Sequence, residues 1–571
     1  MKEDFKARVS LLAKKYALAN AIQFDGSASA DRVLGKIMAE DPNLRESASD
    51  ALRIVELIVK EINDLDLETQ KREIEKIAPE LLVRKKQKKI ATFPELPQAK
   101  KGEVVTRFPP EPNGYLHIGH AKAAIISREY AKRYGGKFIL RFDDTNPEKE
   151  GEYYQPQKED LKWLGIDWDE EYCTSNNLEK HYKLAEKLIK EGNAYVCCCS
   201  PEEIKSSRFN RKPCKCRKNS IEKNLAKWSE LFYMPEGKAV LRLKADLESP
   251  NTAMRDPTLF RLIDAPHPIQ GKKYRCWPTY DFAGAVEDSL SGVTHAFRTK
   301  EYELRDEVYY YLLDKLNLRK PLLIEYSRLS LKGMPVSKRI IKNLIDERKV
   351  ARWDDPRVPT LRGLRRRGIQ PNAIHQFVLS LGISKVESEI TFDQLEAINR
   401  KNLDPVSKRL YFIPNPTRLI IHGVSPRETE LRLHPQFDLG KRSLKVGRVF
   451  YISKQDVNQL EIGEKIRLKE LYNVEIKKIT EKEVWGDYEG EKLLPKIKKI
   501  QWVPENYVEL EVICPKEIFV DGAYNPDSLK TLIGYVEKEI ENIKSDEIVQ
   551  FERFGFCRIE KNGKLRAFFC G

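Results

Sequence analysis

Residues 107–122 read RFPPEPNGYLHIGHAK, and everything around them has the order of a βαβ unit. Before them runs VVTRF (104–108), apolar enough for a strand. After them comes AKAAIISREYAKRYG (121–135), with helical spacing and a glycine at its end, then a second strand, KFILRF (137–142), which leads into DDTNP (143–147). Strand, helix and strand in this order imply a parallel α/β sheet. Such a sheet takes its ligands at the carboxyl ends of its strands, which is where 107–122 lies. Pro109, Pro110 and Pro112 stiffen the turn and Gly114 lets it reverse. His117 and His120, three apart, fall on one side of the first helical turn, and Gly119 between them lets a nucleotide approach the backbone. A helix N-terminus already favours anions through its free N–H groups and dipole, and two imidazoles there add donors for phosphate oxygens. Standing alone, an HxxH more often caps or lines an ordinary helix start. A zinc reading lacks a third ligand at suitable spacing.

A second basic segment, SRLSLKGMPVSKRII (327–341), brings Ser337 and Lys338 after the apolar run LLIEYSRL. By itself SKR is ordinary solvated charge. Together the two segments carry a resemblance. RFPPEPNGYLHIGHAK is similar to the HIGH signature of class I aminoacyl-tRNA synthetases, in the form found in the glutamyl and glutaminyl branch. PVSKR (335–339) resembles the KMSKS loop, with Pro335 and Val336 in place of its first Lys and Met. The resemblance implies a multidomain chain: a Rossmann-like α/β catalytic domain with an inserted acceptor-binding domain, helical N-terminal and connector regions, and C-terminal all-β anticodon-binding barrels. It also implies ATP and Mg2+, an aminoacyl-adenylate, and transfer to the 3′ end of tRNA. The attacking carboxylate is already a nucleophile, so positioning and charge stabilisation do the work. His117, His120 and Lys338 are the catalytic candidates, with Pro109, Gly119 and Ser337 beside them at ATP.

The resemblance also locates an amino-acid pocket: Arg107, Glu111, Asp143 and, in WPTYDFAGAVEDSLSGVTHAFR (277–298), Tyr280 next to Asp281. Arg298 ends that string. Glutaminyl enzymes carry a small uncharged residue there and glutamyl enzymes an arginine, whose fork suits a carboxylate and gains nothing special from an amide. L-Glutamate is therefore the expected substrate and tRNA(Glu) the expected partner, alone or together with tRNA(Gln). The alternatives are a glutaminyl enzyme, a nucleotidylyltransferase of the same fold, and a non-catalytic tRNA-binding homologue. As a purely structural group, Arg298 pairs with Glu301 or Asp288.

Five of the ten cysteines lie between Cys197 and Cys216. Cys197 and Cys199, then Cys214 and Cys216, form two short thiol pairs closed by one loop, which suits a tetrahedral structural zinc site; Cys198 is a spectator. Similar glutamyl enzymes of archaeal type carry such a knuckle. In WDDPRVPTLRGLRRRG (353–368), Arg362, Arg365, Arg366 and Arg367 cover more than one helix face, so some reach tRNA phosphates while others anchor to protein. HPQFDLGKRSLKVGRVFYI (434–452) and QFERFGFCRIE (550–560) resemble the β-barrels of glutaminyl and archaeal-type glutamyl enzymes, as YALANAI (16–22) and AEDPNLR (39–45) resemble their N-terminal segments.

The whole chain of 571 residues divides accordingly: a helical region at 1–98, catalytic halves at 99–196 and 275–340, the insertion at 197–274, a helical connector at 341–404 and β-barrels at 405–571. In the first region Leu52, Val55, Leu57, Val59 and Ile62 form the expected stripe, and the lysine-rich stretch from 84 onward is a connector. The net charge of +15 favours a polyanionic partner, although a high total of both signs also fits heat adaptation. No run is long and apolar enough to span a bilayer, and MKEDFKARVS lacks the features of a signal peptide. A cytoplasmic monomer is expected.

Overall fold

The computed structural model describes residues 2–23, 26–41, 44, 47–78, 81, 93–148, 151–387 and 389–571. The chain forms two compact units, Met1–Ile90 and Ala91–Gly571. The lysine-rich stretch at 84–92 lies outside the described residues, as do Pro42, Asn43 and Arg45 of AEDPNLR.

Among its described residues the first unit contains four helices: α1 (Lys2–Gln23), α2 (Ala30–Glu40), α3 (Ala48–Asn63) and α4 (Leu67–Ile77). Their core is drawn from Val9, Ala13 and Ala17 of α1, Ala51, Val55, Val59 and Ile62 of α3, and Ile74 of α4. The expected stripe on α3 needs one correction. Leu57 is 66% exposed, because it sits two positions, about 200°, around the helix from Val55; Ala51 takes the inward place one turn before Val55. Asp66 caps α4 by accepting from the N–H groups of Glu68 and Thr69, both at 2.9 Å.

The second unit begins earlier than the boundary near residue 98 read from the sequence. Leu96 is buried in its core and Phe93 packs against it. The Leu96 N–H donates to the Tyr134 hydroxyl and the Tyr130 hydroxyl donates to the Pro94 carbonyl, so this stretch is held by the following domain.

The parallel sheet is as the pattern predicts. Strands β1 (Val105–Phe108), β2 (Lys137–Phe142) and β3 (Glu170–Cys173) pair in parallel, with Val105 opposite Lys137 and Ile139 opposite Glu170. Helix α5 (Ile118–Arg133) crosses from β1 to β2; α6 (Tyr154–Trp163) precedes β3 and α7 (Leu178–Lys190) follows it. An antiparallel insertion comes next: β4 (Ala194–Cys197), α8 (Pro201–Phe209), α9 (Ile221–Leu231), β5 (Val240–Leu243), β6 (Thr258–Leu262) and β7 (Cys276–Pro278). The chain returns through α10 (Tyr280–Leu290), β8 (His295–Thr299), α11 (Asp306–Leu316) and β9 (Leu322–Tyr326), with β8 and β9 again parallel. β8 lies beside β1: the Thr294 N–H donates to the Val105 carbonyl, and the Val105 N–H to the Thr294 hydroxyl, each at 2.9 Å. The spatial order is therefore β3-β2-β1-β8-β9. Strand order reverses between β1 and β8, and such a reversal opens a ligand crevice at the strands' carboxyl ends.

Helices α12 (Lys338–Asp346), α13 (Leu361–Arg367), α14 (Pro371–Leu381) and α15 (Asp393–Leu403) follow. Leu361, Leu364, Phe377 and Leu395 join the same core as β1 and α5. The remainder is built on two seven-stranded sheets, one including Pro416–His422 and Val449–Ser453, the other Tyr507–Pro515 and Leu529–Glu537, with two separate ribbons, Arg427–Arg432 on Lys441–Val446 and Phe519–Val520 on Ala523–Tyr524.

Candidate active site

The turn after β1 is built by reciprocal capping. His117 is the N-cap of α5: its Nδ1 accepts from the Gly119 N–H at 3.0 Å, while His120 Nδ1 accepts from the His117 N–H at 3.2 Å. The rings stack with centroids 3.8 Å apart. With both Nδ1 atoms accepting, each neutral ring carries its proton on Nε2. The rings are neutral near pH 7, because burial lowers both pKa values, that of His120 to about 4, with the Arg328 charge adding to the effect. Helix capping and ligand contact, alternatives in the sequence, are thus compatible: Nδ1 serves the helix and Nε2–H remains as a neutral donor. A Cβ on Gly119 would lie 2.8 Å from the His117 ring, so glycine is needed here for the stack itself.

Neighbouring segments hold this turn in place. The Gln157 amide donates to the carbonyls of Glu111 and Gly114; the Ile118 N–H donates to Pro359 O and the Leu361 N–H to Leu116 O. The second basic segment closes over it. Ser337 is the N-cap of α12, and Lys338 begins that helix. Lys338 Nζ lies 5.4 Å from the centre of the Tyr153 ring, and a Cβ on Gly114 would come within 2.9 Å of the Lys338 side chain. His117, His120, Ser337 and Lys338 are therefore brought to one place. Arg328, which the sequence reading passed over, joins them as a further cation acting on both imidazoles; its position at the start of the SKR-bearing segment was the available signal.

Beside the turn opens a cleft of about 690 Å³ whose lining includes Glu111, Arg208, Thr279, Tyr280, Asp281 and Arg305. A much smaller inner pocket of about 10 Å³, lined by Arg107, Arg141, Tyr280, Asp281, Asp288, Arg298, Arg305 and Tyr309 among others, shares Tyr280, Asp281 and Arg305 with it. Four guanidiniums thus face two carboxylates. Asp281 is paired with Arg305, and Asp288 binds Arg107 through both oxygens, at 3.0 and 3.1 Å. Arg298 pairs with neither Glu301 nor Asp288. Glu301 binds Arg328 and Asp288 is taken by Arg107 and Arg141, while Arg298 pairs with Asp306 at the start of α11. Asp143 is buried, and its Oδ1 has no hydrogen-bond partner; burial pushes its pKa up to about 7 even with Arg141 opposing. Arg141 and Asp288 were missed in the sequence, yet each is a charged residue inside an apolar run, KFILRF and FAGAVEDSL.

Three of the four expected thiols, those of Cys197, Cys199 and Cys214, form one close group; Cys216 stands outside it and approaches Cys199 alone. Sγ of Cys197 and Cys214 are 3.8 Å apart, those of Cys199 and Cys216 3.9 Å, and the sulfurs of Cys197, Cys199 and Cys214 all lie within 4.8 Å of one another. A tetrahedron with metal–sulfur distances of about 2.3 Å has sulfur–sulfur edges of about 3.8 Å, so the donor set fits zinc. Cys198 instead accepts from Lys227.

The four arginines of α13 separate. Arg367 is buried against Glu396 and the Phe392 ring, so it reaches no tRNA phosphate at the surface. Arg362 pairs with Glu159 and Asp160, and Arg366 approaches Asp354 and Glu560. Arg365 is exposed and has no ion pair among the described residues. Helix α13 is short and wedged between acids of other elements, which the sequence reading had no means of seeing.

Residues 103–405 match the family described as tRNA synthetases class I (E and Q), catalytic domain; 407–489 and 499–560 match the anti-codon binding domains of the same group. The chain is 46% identical to the glutamate–tRNA ligase of Nitrosopumilus maritimus over 100% of both chains. It is 43% identical to that of Cenarchaeum symbiosum over 96% of this chain and 97% of the other. Identity to the glutamate–tRNA ligase of Pyrococcus furiosus is 43%, over 98% of this chain and 99% of the relative.

Proposed function

This chain belongs to the class I aminoacyl-tRNA synthetases of the glutamyl and glutaminyl branch and is a glutamate–tRNA ligase, and we propose that its inner pocket selects glutamate by presenting guanidiniums to a carboxylate. One observation supports this most: four arginines line that pocket against two acids, an environment that favours an anionic side chain over a neutral amide. The unpartnered Asp143 oxygen suits the substrate ammonium, and Tyr280 forms the wall between inner pocket and cleft.

The reaction follows from this arrangement. A glutamate carboxylate oxygen attacks the α-phosphorus of ATP and pyrophosphate leaves; a ribose hydroxyl of the terminal adenosine then attacks the adenylate carbonyl and AMP leaves. Negative charge accumulates on phosphate oxygens in the first step. His117 and His120 face it with neutral Nε2–H donors, and Lys338 with an ammonium. Pro109 and Gly119 shape the ATP side of the turn, while Glu111 borders the cleft. Mg2+ supplies phosphate neutralisation when bound. Zinc on Cys197, Cys199, Cys214 and Cys216 supplies a structural crosslink, fixing the loop that carries α8. Arg365, with Arg362 and Arg366 where their ion pairs exchange for phosphates, is the α13 contribution to tRNA binding.

Both tRNA(Glu) and tRNA(Gln) are candidate acceptors for a cytoplasmic monomer; no described helix is long and apolar enough to cross a membrane. The test is ATP–pyrophosphate exchange and charging with labelled glutamate on each purified tRNA. Glutamate-dependent turnover with tRNA(Glu) is expected, and its absence with active tRNA would refute the proposal; charging of tRNA(Gln) decides the scope.

A further inference from the structure

The inner pocket is organised around one carboxylate. Asp288, on the buried face of α10 and 1% exposed, accepts from Arg107 Nε at 3.0 Å and Nη2 at 3.1 Å, from Arg141 Nη1 at 2.7 Å and from the Tyr309 hydroxyl at 3.2 Å. The Tyr309 ring in turn packs under the Arg298 guanidinium, 5.5 Å from its centre. One side chain is therefore bonded to two of the pocket's guanidiniums and linked to a third through a single phenol. These three arginines come from three different strands, β1, β2 and β8, and no other acid in the pocket touches more than one of them among the described residues.

The donor arithmetic shows what this does. A guanidinium has five N–H donors. Arg107 uses Nε and one Nη2 hydrogen on Asp288 and one Nη1 hydrogen on the Phe297 carbonyl, which leaves one hydrogen on each terminal nitrogen. A guanidinium held along one edge cannot rotate to meet whatever ligand arrives. It offers a fixed pair of donors, which a carboxylate satisfies with two acceptor oxygens and an amide, with one acceptor and an NH2, does not.

Resting on the reading of this pocket as the glutamate site, we propose that Asp288 is a positioning residue that sets the preference for acid over amide, by locking Arg107 and Arg141 directly and by holding, through the Tyr309 hydroxyl, the ring over which Arg298, itself paired with Asp306, lies. It does not itself touch the reacting atoms. Its removal frees the guanidiniums to adopt orientations that an amide tolerates, and a displacement of about 1 Å at such a site is enough to cost on the order of a hundredfold in rate.

Two variants of the full chain test this. Asp288→Asn keeps the shape but removes the charge and one acceptor; Tyr309→Phe removes only the hydroxyl and is the milder change if Asp288→Asn fails to fold. For each, the KM and kcat for glutamate, the KM for ATP and the ratio of charging with glutamate to charging with glutamine are measured, with thermal unfolding alongside. The expected result is a rise of roughly tenfold or more in the KM for glutamate for Asp288→Asn, a smaller rise for Tyr309→Phe, a lower glutamate-to-glutamine ratio in both, and an ATP KM within about twofold of the starting protein. A merely structural role would lower kcat with both amino acids alike, or raise both KM values together, leaving the ratio unchanged, and that result overturns the proposal. If Asp288→Asn does not fold, the ratio for Tyr309→Phe decides alone. Failure of the unmodified protein to charge glutamate overturns the pocket reading itself, and is seen before any variant is made.

Discussion

The Lys338 side chain lies against Gly114: a methyl group added at Gly114 would sit 2.9 Å from Lys338 Cδ and Cε. The turn after β1 and the start of α12, more than two hundred residues apart in sequence, therefore share one volume, and only a residue without a side chain lets the lysine lie there.

Replacing Lys338 by Ala removes the cation proposed to face the phosphates. The rate of adenylate formation is expected to fall on the order of a hundredfold, with the KM for glutamate little changed. Gly114→Ala displaces the same lysine without deleting it and is expected to cost less. Pre-steady-state measurement of adenylate formation checks both; equal losses in rate and in glutamate binding for Lys338→Ala contradict the role.

The Asp143 carboxyl titrates near 7 because burial disfavours its charged form. Its folded pKa is raised, so in the free protein it loses its proton as pH rises through about 7, and the ammonium of glutamate binds the ionised form. kcat/KM for glutamate is expected to rise between pH 6 and 8, and Asp143→Asn to abolish that rise. His120, with its pKa at about 4, adds no slope there. A flat profile in the unmodified protein counts against Asp143 as the ammonium partner.

Protein purified without chelator is expected to carry one zinc per chain. Cys199→Ser, which removes a thiol that belongs to the three-sulfur group and also approaches Cys216, should lower metal content and the unfolding temperature together. Elemental analysis with thermal melts reads both, and a metal-free protein with an unchanged melt contradicts the assignment.

Arg365 and Arg367, two positions apart, separate cleanly by burial. Arg365→Ala is expected to weaken tRNA binding severalfold and to reduce its salt dependence with no change in melting. Arg367→Ala is expected to lower the melting temperature, because it strands Glu396 beside an apolar interface. Filter binding and thermal melts distinguish the two.

The parts of the molecule with strong local patterning were legible from the sequence. The β1–α5–β2 unit, the glycine-bearing turn and the two Cys-x-Cys pairs each declare themselves over a few residues, and their geometry follows from spacing alone. The partners of Arg298, the burial of Arg367 and the hub at Asp288 depend instead on which strands and helices come side by side. Asp306 lies eight positions after Arg298 but one element later, and Asp288 meets Arg107 across 181 positions. The second pairing follows from β8 returning beside β1 and the first from how α11 folds back on β8, and local pattern carries neither. Leu57 shows the converse case: an apolar residue in an apolar run faces outward because helical phase, not composition, decides its side.

On the proposed reading, arginines in the inner pocket select the acid over the amide. Charging of tRNA(Glu) and tRNA(Gln) with labelled glutamate and with labelled glutamine, run side by side at equal concentration, tests it most directly. Glutamate is expected to be attached to tRNA(Glu) at least about a hundredfold more efficiently than glutamine. Glutamine attached faster than glutamate on either tRNA would contradict it.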